Sequence, residues 1–110
     1  MKEPRGPVDW QSSDLVRALG VMGGKWKAQI ICHLLGGTKR FSQLRRMLPG
    51  ISRGVLSYEL QQLQADGIVE RTQYQTIPPT VEYFLTAKGR DLEPVLRALR
   101  RWAREHRVSQ

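Results

Sequence analysis

Residues 41–71, FSQLRRMLPGISRGVLSYELQQLQADGIVER, constrain the fold of this chain more than any other stretch. Pro49-Gly50 interrupts the run, because proline fixes φ and glycine tolerates conformations that other residues avoid. Ser52 then stands where a helix N-cap belongs, its hydroxyl able to accept from an orphan backbone N–H. From there Val55, Leu56, Leu60 and Leu63 recur at helical spacing, and Asp66-Gly67 ends the helix with Gly67 as the expected C′ residue. At about 100° per residue, Leu56, Leu60 and Leu63 share one face. Gly54, Tyr58 and Gln61 lie opposite, flanked by Ser57 and Gln62. A short helix, a tight turn, a capped second helix and then a strand is the helix-turn-helix plan running into a β-hairpin. That plan shapes a surface for a DNA major groove.

The flanking sequence completes one domain. Ser12 or Ser13 can cap a first helix carrying Leu15, Val16, Leu19 and Met22, which Gly23-Gly24 stops. A second helix is predicted over 25–35, with Trp26, Ile30, Ile31 and Leu34 inward, and 38–40 reads as a very short strand. Residues 68–76 and 80–86 are predicted strands around the stiff turn Ile77-Pro78-Pro79-Thr80. This hairpin is a wing. A last helix starts at Thr86 or shortly after, and Pro94 must lie in its first turn or kink it. The expected fold is mostly α with a small β-hairpin wing, over 12–110, behind a flexible tail at 1–11. With 110 residues the chain has the length of a single domain.

The net charge of +8 is unevenly placed. Residues 25–46 carry Lys25, Lys27, Lys39, Arg40, Arg45 and Arg46 with no acid among them, whereas the second helix of the pair sets Arg53 against Glu59 and Asp66. Cations beside a polar reading helix suit a binder that holds phosphates with one set of side chains and faces bases with another. A solvated basic face is the plain alternative, and for the arginines after Thr86 it is the simpler one, since cations suit a helix C-terminus.

Leu92, Val95, Leu96, Leu99, Trp102 and Ala103 form a long apolar stripe on the last helix. With the apolar first helix, this exceeds what one small domain easily covers. A homodimer formed through the first and last helices, using Leu15, Leu19, Leu92, Val95, Leu96, Leu99 and Trp102, would bury the remainder. It would set two reading helices about a two-fold axis, for half-sites about 34 Å or a multiple apart. Packing of both helices on their own domain is the alternative.

Four strings then carry a family resemblance: GGKWK (23–27), RFSQLRRMLPGIS (40–52), the leucine ladder ending in DGIVER (66–71), and PPTVEYFLTAKG (78–89). Together they span about 13–104, and the chain resembles the HxlR-type winged helix-turn-helix regulators, near the MarR group. The resemblance implies a dimeric, cytoplasmic, DNA-binding repressor or activator without enzymatic activity, and leaves room for an unidentified small-molecule effector. Many members carry a cysteine just before the first helix, used in some to sense oxidants or electrophiles. Here that segment is GPVDWQSSD, so redox sensing does not transfer. Family wings often place a basic residue after Pro-Pro, where this chain has Thr80.

Arg53, Ser57, Tyr58 and Gln61 are the expected base-reading residues, since Arg and Gln can pair bidentately with base edges. Lys25, Lys39, Arg40, Arg45, Arg46, Ser52 and Arg71 are the expected phosphate contacts, with Ser52 first of all a cap. A solvated helix face and a protein-binding module without DNA affinity are the competing readings, and a metal- or ligand-responsive switch of the ArsR kind is a third. Cys32 beside His33, with His106 far off in sequence, is too few ligands for a metal. Cys32 is expected to be packed or half-buried. No nucleophile–base pair, phosphate loop or carboxylate dyad is legible, so no catalytic residue and no cofactor are expected. One cysteine excludes an intrachain disulfide framework, and no apolar run approaches the roughly 20 residues of a membrane span. The N-terminal residues lack a signal-peptide apolar region, which makes the cytoplasm the expected compartment.

Overall fold

The computed structural model describes Pro7 and residues 13–107. The tail expected over 1–11 lies outside that range, Pro7 apart, as does Ser12. In chain order the elements are α1 (Asp14–Met22), α2 (Lys27–Leu35), β1 (Lys39–Arg40), α3 (Phe41–Met47), α4 (Arg53–Ala65), β2 (Val69–Tyr74), β3 (Thr80–Leu85), α5 (Ala87–Arg90) and α6 (Glu93–His106). The expected hairpin is joined by the two-residue β1, giving an antiparallel sheet in the order β1-β3-β2. Lys39 pairs with Tyr83 and Arg40 with Glu82, while Val69 opposes Leu85 and Arg71 opposes Tyr83.

One core collects side chains from nearly every element. Ile30, Ile31 and Leu34 of α2, Leu44 of α3, the Leu56/Leu60/Leu63 ladder of α4, and Val69, Tyr83 and Leu85 of the sheet are all buried in it. The periods of 3.6 and 2 that marked these residues in the sequence are thus the faces that pack. Trp26 and Phe41 sit half-buried at the margin of this core.

Helix α4 is built at both ends as its sequence requires. Ser52 is the N-cap of α4, and its Oγ accepts the Val55 N–H at 3.1 Å. At the far end Gly67 takes φ +72°, its N–H reaches the Gln64 carbonyl, and the Ile68 N–H reaches the Leu63 carbonyl at 2.9 Å. This is the Schellman arrangement, and the side chains of Leu63 and Ile68 on either side of it are both buried. Ser52→Ala removes one first-turn acceptor and is expected to cost about 1 kcal/mol, read as a lower denaturant midpoint at unchanged slope.

Two expectations about the C-terminal region change. The predicted single helix is two, because α5 ends at Arg90 and α6 begins at Glu93 with Pro94 in its first turn, where the missing N–H costs nothing. Leu96, expected on a dimer face, is 7% exposed and belongs to the chain's own core. Leu92 is half-buried against the same core, so both contribute to folding the monomer. Leu15, Leu19, Val95, Leu99 and Trp102 remain exposed, as does Val16.

Candidate nucleic-acid interface

With its leucines buried, α4 presents Arg53, Gly54, Ser57, Tyr58 and Gln61 outward, and all five are exposed. Tyr58 stands 58% exposed, clear of any packing role. The polar face expected from the sequence is therefore a real outer surface, beginning at the capped amino end of the helix.

The cations beside it are gathered by two adjoining clefts. A cleft of about 450 Å³ lies between α3 and the start of α4, lined by Phe41, Ser42, Arg45, Arg46, Gly50, Ile51 and Arg53. A second, of about 340 Å³, runs from α3 to the wing tip and is lined by Arg40, Phe41, Ser42, Arg53, Pro78, Pro79, Thr80 and Val81. Phe41, Ser42 and Arg53 belong to both, so the clefts form one trough from the helix-turn-helix to the wing. Four arginines line it and no carboxylate does. The walls are low-dielectric protein, and a groove of one sign concentrates its field on an approaching anion.

Local chemistry explains why the trough keeps its form. The Arg40 N–H is taken by Gln43 Oε1 at 2.8 Å, which fixes the entry to α3. Gly50 has φ +90°, so the turn between α3 and α4 needs a residue without a side chain. At the wing tip the Thr76 hydroxyl donates to the Pro78 carbonyl at 2.7 Å and meets the Thr80 hydroxyl at 3.1 Å.

The expected phosphate contacts divide. Arg40, Arg45, Arg46 and Ser52 are exposed around the trough. Lys39 is turned back, its Nζ donating to the Gly37 carbonyl at 3.1 Å, and Lys25 lies over the Trp26 ring at 4.8 Å. Arg71 is exposed on β2, on the sheet face it shares with Val69 and Tyr83, and lines neither cleft. Ser42 was not legible as a site residue. It carries no charge and breaks no periodicity, and only its place in the first turn of α3 sets it in both clefts. Arg53, expected as a base reader, also stands where the two clefts meet. Cys32 is exposed, against the half-buried thiol expected, because it faces a groove between α2 and α6. Among the described residues no group of three or more His, Cys, Asp or Glu side chains is placed to hold a metal ion, and no helix is long and apolar enough to cross a membrane.

A helix-turn-helix, a three-stranded wing and an acid-free arginine trough invite comparison with known regulators. The family model for the HxlR-like helix-turn-helix matches residues 21–110. This chain belongs to the HxlR-like family. Among relatives of this HxlR-like protein, the HTH-type transcriptional regulator YybR of Bacillus subtilis (strain 168) is 45% identical over 89 residues, spanning 81% of this chain and 71% of YybR. The redox regulator HypR in its reduced form superposes with a TM-score of 0.83 at 43% identity, covering 86% of this chain and 94% of HypR. The crystal structure of the HTH-type regulator YtcD gives 0.82 at 44% identity, over 86% and 96% of the two chains. The HxlR-like chain is accordingly a winged-helix, DNA-binding transcriptional regulator.

Proposed function

We propose that this regulator binds a palindromic or near-palindromic operator as a homodimer, with α4 in the major groove and the arginine trough on the flanking backbone. The single observation that supports this division is the acid-free trough of Arg40, Arg45, Arg46 and Arg53 abutting the uncharged outer face of α4. Ser57, Tyr58 and Gln61 take the role of base-facing residues, with Arg53 at the boundary of base and phosphate. Arg40, Arg45, Arg46 and Ser52 hold phosphates, with Ser42 joining them. Lys25, Lys39 and Arg71 are secondary contacts at most, given their positions. The domain extends over 12–110.

The homodimer rests on exposed apolar side chains. Leu15, Val16 and Leu19 of α1 and Val95, Leu99 and Trp102 of α6 each expose more than two-fifths of their surface. An isologous interface made from the two end helices would cover them. HypR is a redox regulator, and that role is not carried over to this chain, because its segment before α1 has no cysteine.

Gel-shift titration against genomic fragments at two salt concentrations tests the reading, with sedimentation on the same samples. A retarded complex of two chains per site that weakens steeply with salt is expected. Absence of any shift at low salt would sink it. Gln61→Ala and Arg53→Ala should each relax discrimination between operator and mismatched sites by about 1–3 kcal/mol. Unchanged selectivity in both variants would remove α4's outer face as the reader.

A further inference from the structure

Helix α6 has two outer faces, and the operator reading uses only one. Val95, Leu99 and Trp102 form the exposed apolar flank assigned above to a second copy. About 180° round the helix stand Arg97, Arg100, Arg101 and Arg104, all exposed. No acid lies between Pro94 and Arg104. Arg97 is held by the Glu93 carboxylate at 2.7–2.8 Å. Arg100, Arg101 and Arg104 make no hydrogen bond or ion pair among the described residues.

Solvation alone is a poor account of this ridge. Like charges three and four residues apart on a helix repel, as Arg97 does with Arg101 and Arg100 with Arg104. A cation complements a helix C-terminus only within the last turn, which accounts for Arg104 and leaves Arg100 and Arg101. All four are arginine, the fork that grips an oxyanion with two bonds, where lysine would serve solubility as well. The surroundings decide between anionic partners. A protein interface has an apolar centre from which charge is depleted, and the ridge offers no apolar side chain. A membrane takes up a basic helix by burying its apolar flank, which here points the other way and is covered in the dimer. A duplex backbone asks for cations alone.

The operator itself is out of reach of the ridge. Successive residues of β1 point to opposite faces of the sheet. Arg40 lines the DNA trough. Lys39 turns the other way, its Nζ 3.9 Å from where a Cβ on Gly36 would stand, and Gly36 lines the α2–α6 groove with Arg97 and Arg100. Trough and ridge are thus on opposite faces of the sheet. A duplex with a persistence length of about 150 bp does not fold round one small domain to meet both.

We infer that the arginine ridge of α6 is a second, sequence-independent site for the backbone of double-stranded DNA, by which an operator-bound dimer holds a second segment of duplex. The bridging rests on the operator and dimer reading above; the backbone contact does not.

Beads carrying a short operator duplex are saturated with the full chain and washed. A labelled duplex lacking the operator is then added at low salt, and the retained label is measured. The parent should retain it. Arg100→Gln with Arg101→Gln and Arg104→Gln should retain about tenfold less while keeping its hold on the operator. Arg17→Gln with Lys27→Gln and Arg90→Gln removes the same charge elsewhere and should retain label as the parent does. Arg101→Glu alone, a single change at an exposed position, should shift retention in the same direction as the triple variant, and it decides the matter if the triple variant melts early. No retention by the parent, undiminished retention in the ridge variants, or an equal loss in the charge-matched control would overturn the inference. Poly-L-glutamate or phosphatidylglycerol vesicles displacing the label better than unlabelled duplex, at equal charge, would overturn the choice of partner. If no operator fragment is found, the operator reading fails by itself. The ridge is then scored by non-specific duplex affinity in Arg45→Ala with Arg46→Ala, with and without the three glutamines: a further loss keeps the contact, and none overturns it.

Discussion

Gly89→Ala is expected to lower the melting temperature by roughly 10 °C or more, through a stability loss at the upper end of the 1–3 kcal/mol typical of overpacking. The reason is local and severe. A Cβ at Gly89 would lie 2.4 Å from the Ile68 carbonyl oxygen, 3.1 Å from Leu85 Cδ2 and 3.2 Å from Ile68 Cγ2. The first of these is backbone and cannot rotate away. The same Ile68 carbonyl receives the Thr86 N–H at 3.0 Å, and the Thr86 hydroxyl donates to the Gly67 carbonyl at 2.6 Å while accepting the Gly89 N–H at 3.0 Å. Pushing α5 outward to admit the methyl group therefore loosens the knot joining the end of α4, the start of β2 and the start of α5. Gly54→Ala is the control, because a Cβ there meets nothing within 4 Å. That variant should melt at or slightly above the parent temperature, since alanine restricts the unfolded chain. Melting curves at one fixed protein concentration decide the matter, as self-association makes the midpoint depend on concentration. A Gly89→Ala chain melting within two degrees or so of the parent would show that α5 is not clamped to Ile68.

The contrast between these glycines marks what sequence could and could not disclose. Gly67 was legible as a helix terminator, because Asp-Gly after a leucine ladder has a mechanism attached to it. Gly89 was not, since a glycine has no side chain to join a periodic pattern, and its tightness depends on a carbonyl 21 residues earlier. The leucines of α4 were legible because an amphipathic ladder names its own buried face. Leu96 sits in an equally good stripe, yet the stripe runs around the helix from the chain's own core to an exposed flank. Periodicity says that a residue is covered, and not by what. The arginine trough was legible in its parts, since cations without acids stand out in a charge map. Its shape was not: the two-residue β1 and the wing tip bring Thr80 beside Ser42 through strand pairing across some forty residues. The same limit hid the α2–α6 groove, whose walls are about sixty residues apart in sequence.

The largest functional effect is expected from Arg45→Ala with Arg46→Ala. Both side chains are exposed and line the same cleft, with no carboxylate among its lining residues. Each guanidinium that neutralises a phosphate releases a condensed counterion, so the logarithm of affinity falls against the logarithm of salt with a slope near −0.9 per contact. A dimer losing four contacts should show a slope shallower by about 3.6. Between 50 and 200 mM salt, the affinity gap between parent and variant should then narrow by roughly two orders of magnitude. Selectivity should survive, because backbone contacts position the protein without reading sequence. Gln61→Ala should behave in the opposite way, keeping the slope and losing discrimination. Binding isotherms at four salt concentrations, on operator and on scrambled duplex, separate the two behaviours. A double variant with an unaltered slope would mean that the trough does not face the DNA backbone. A variant with a shallower slope and lost selectivity would mean that Arg45 or Arg46 reaches a base edge, and the boundary between reading and holding would move from Arg53 into α3.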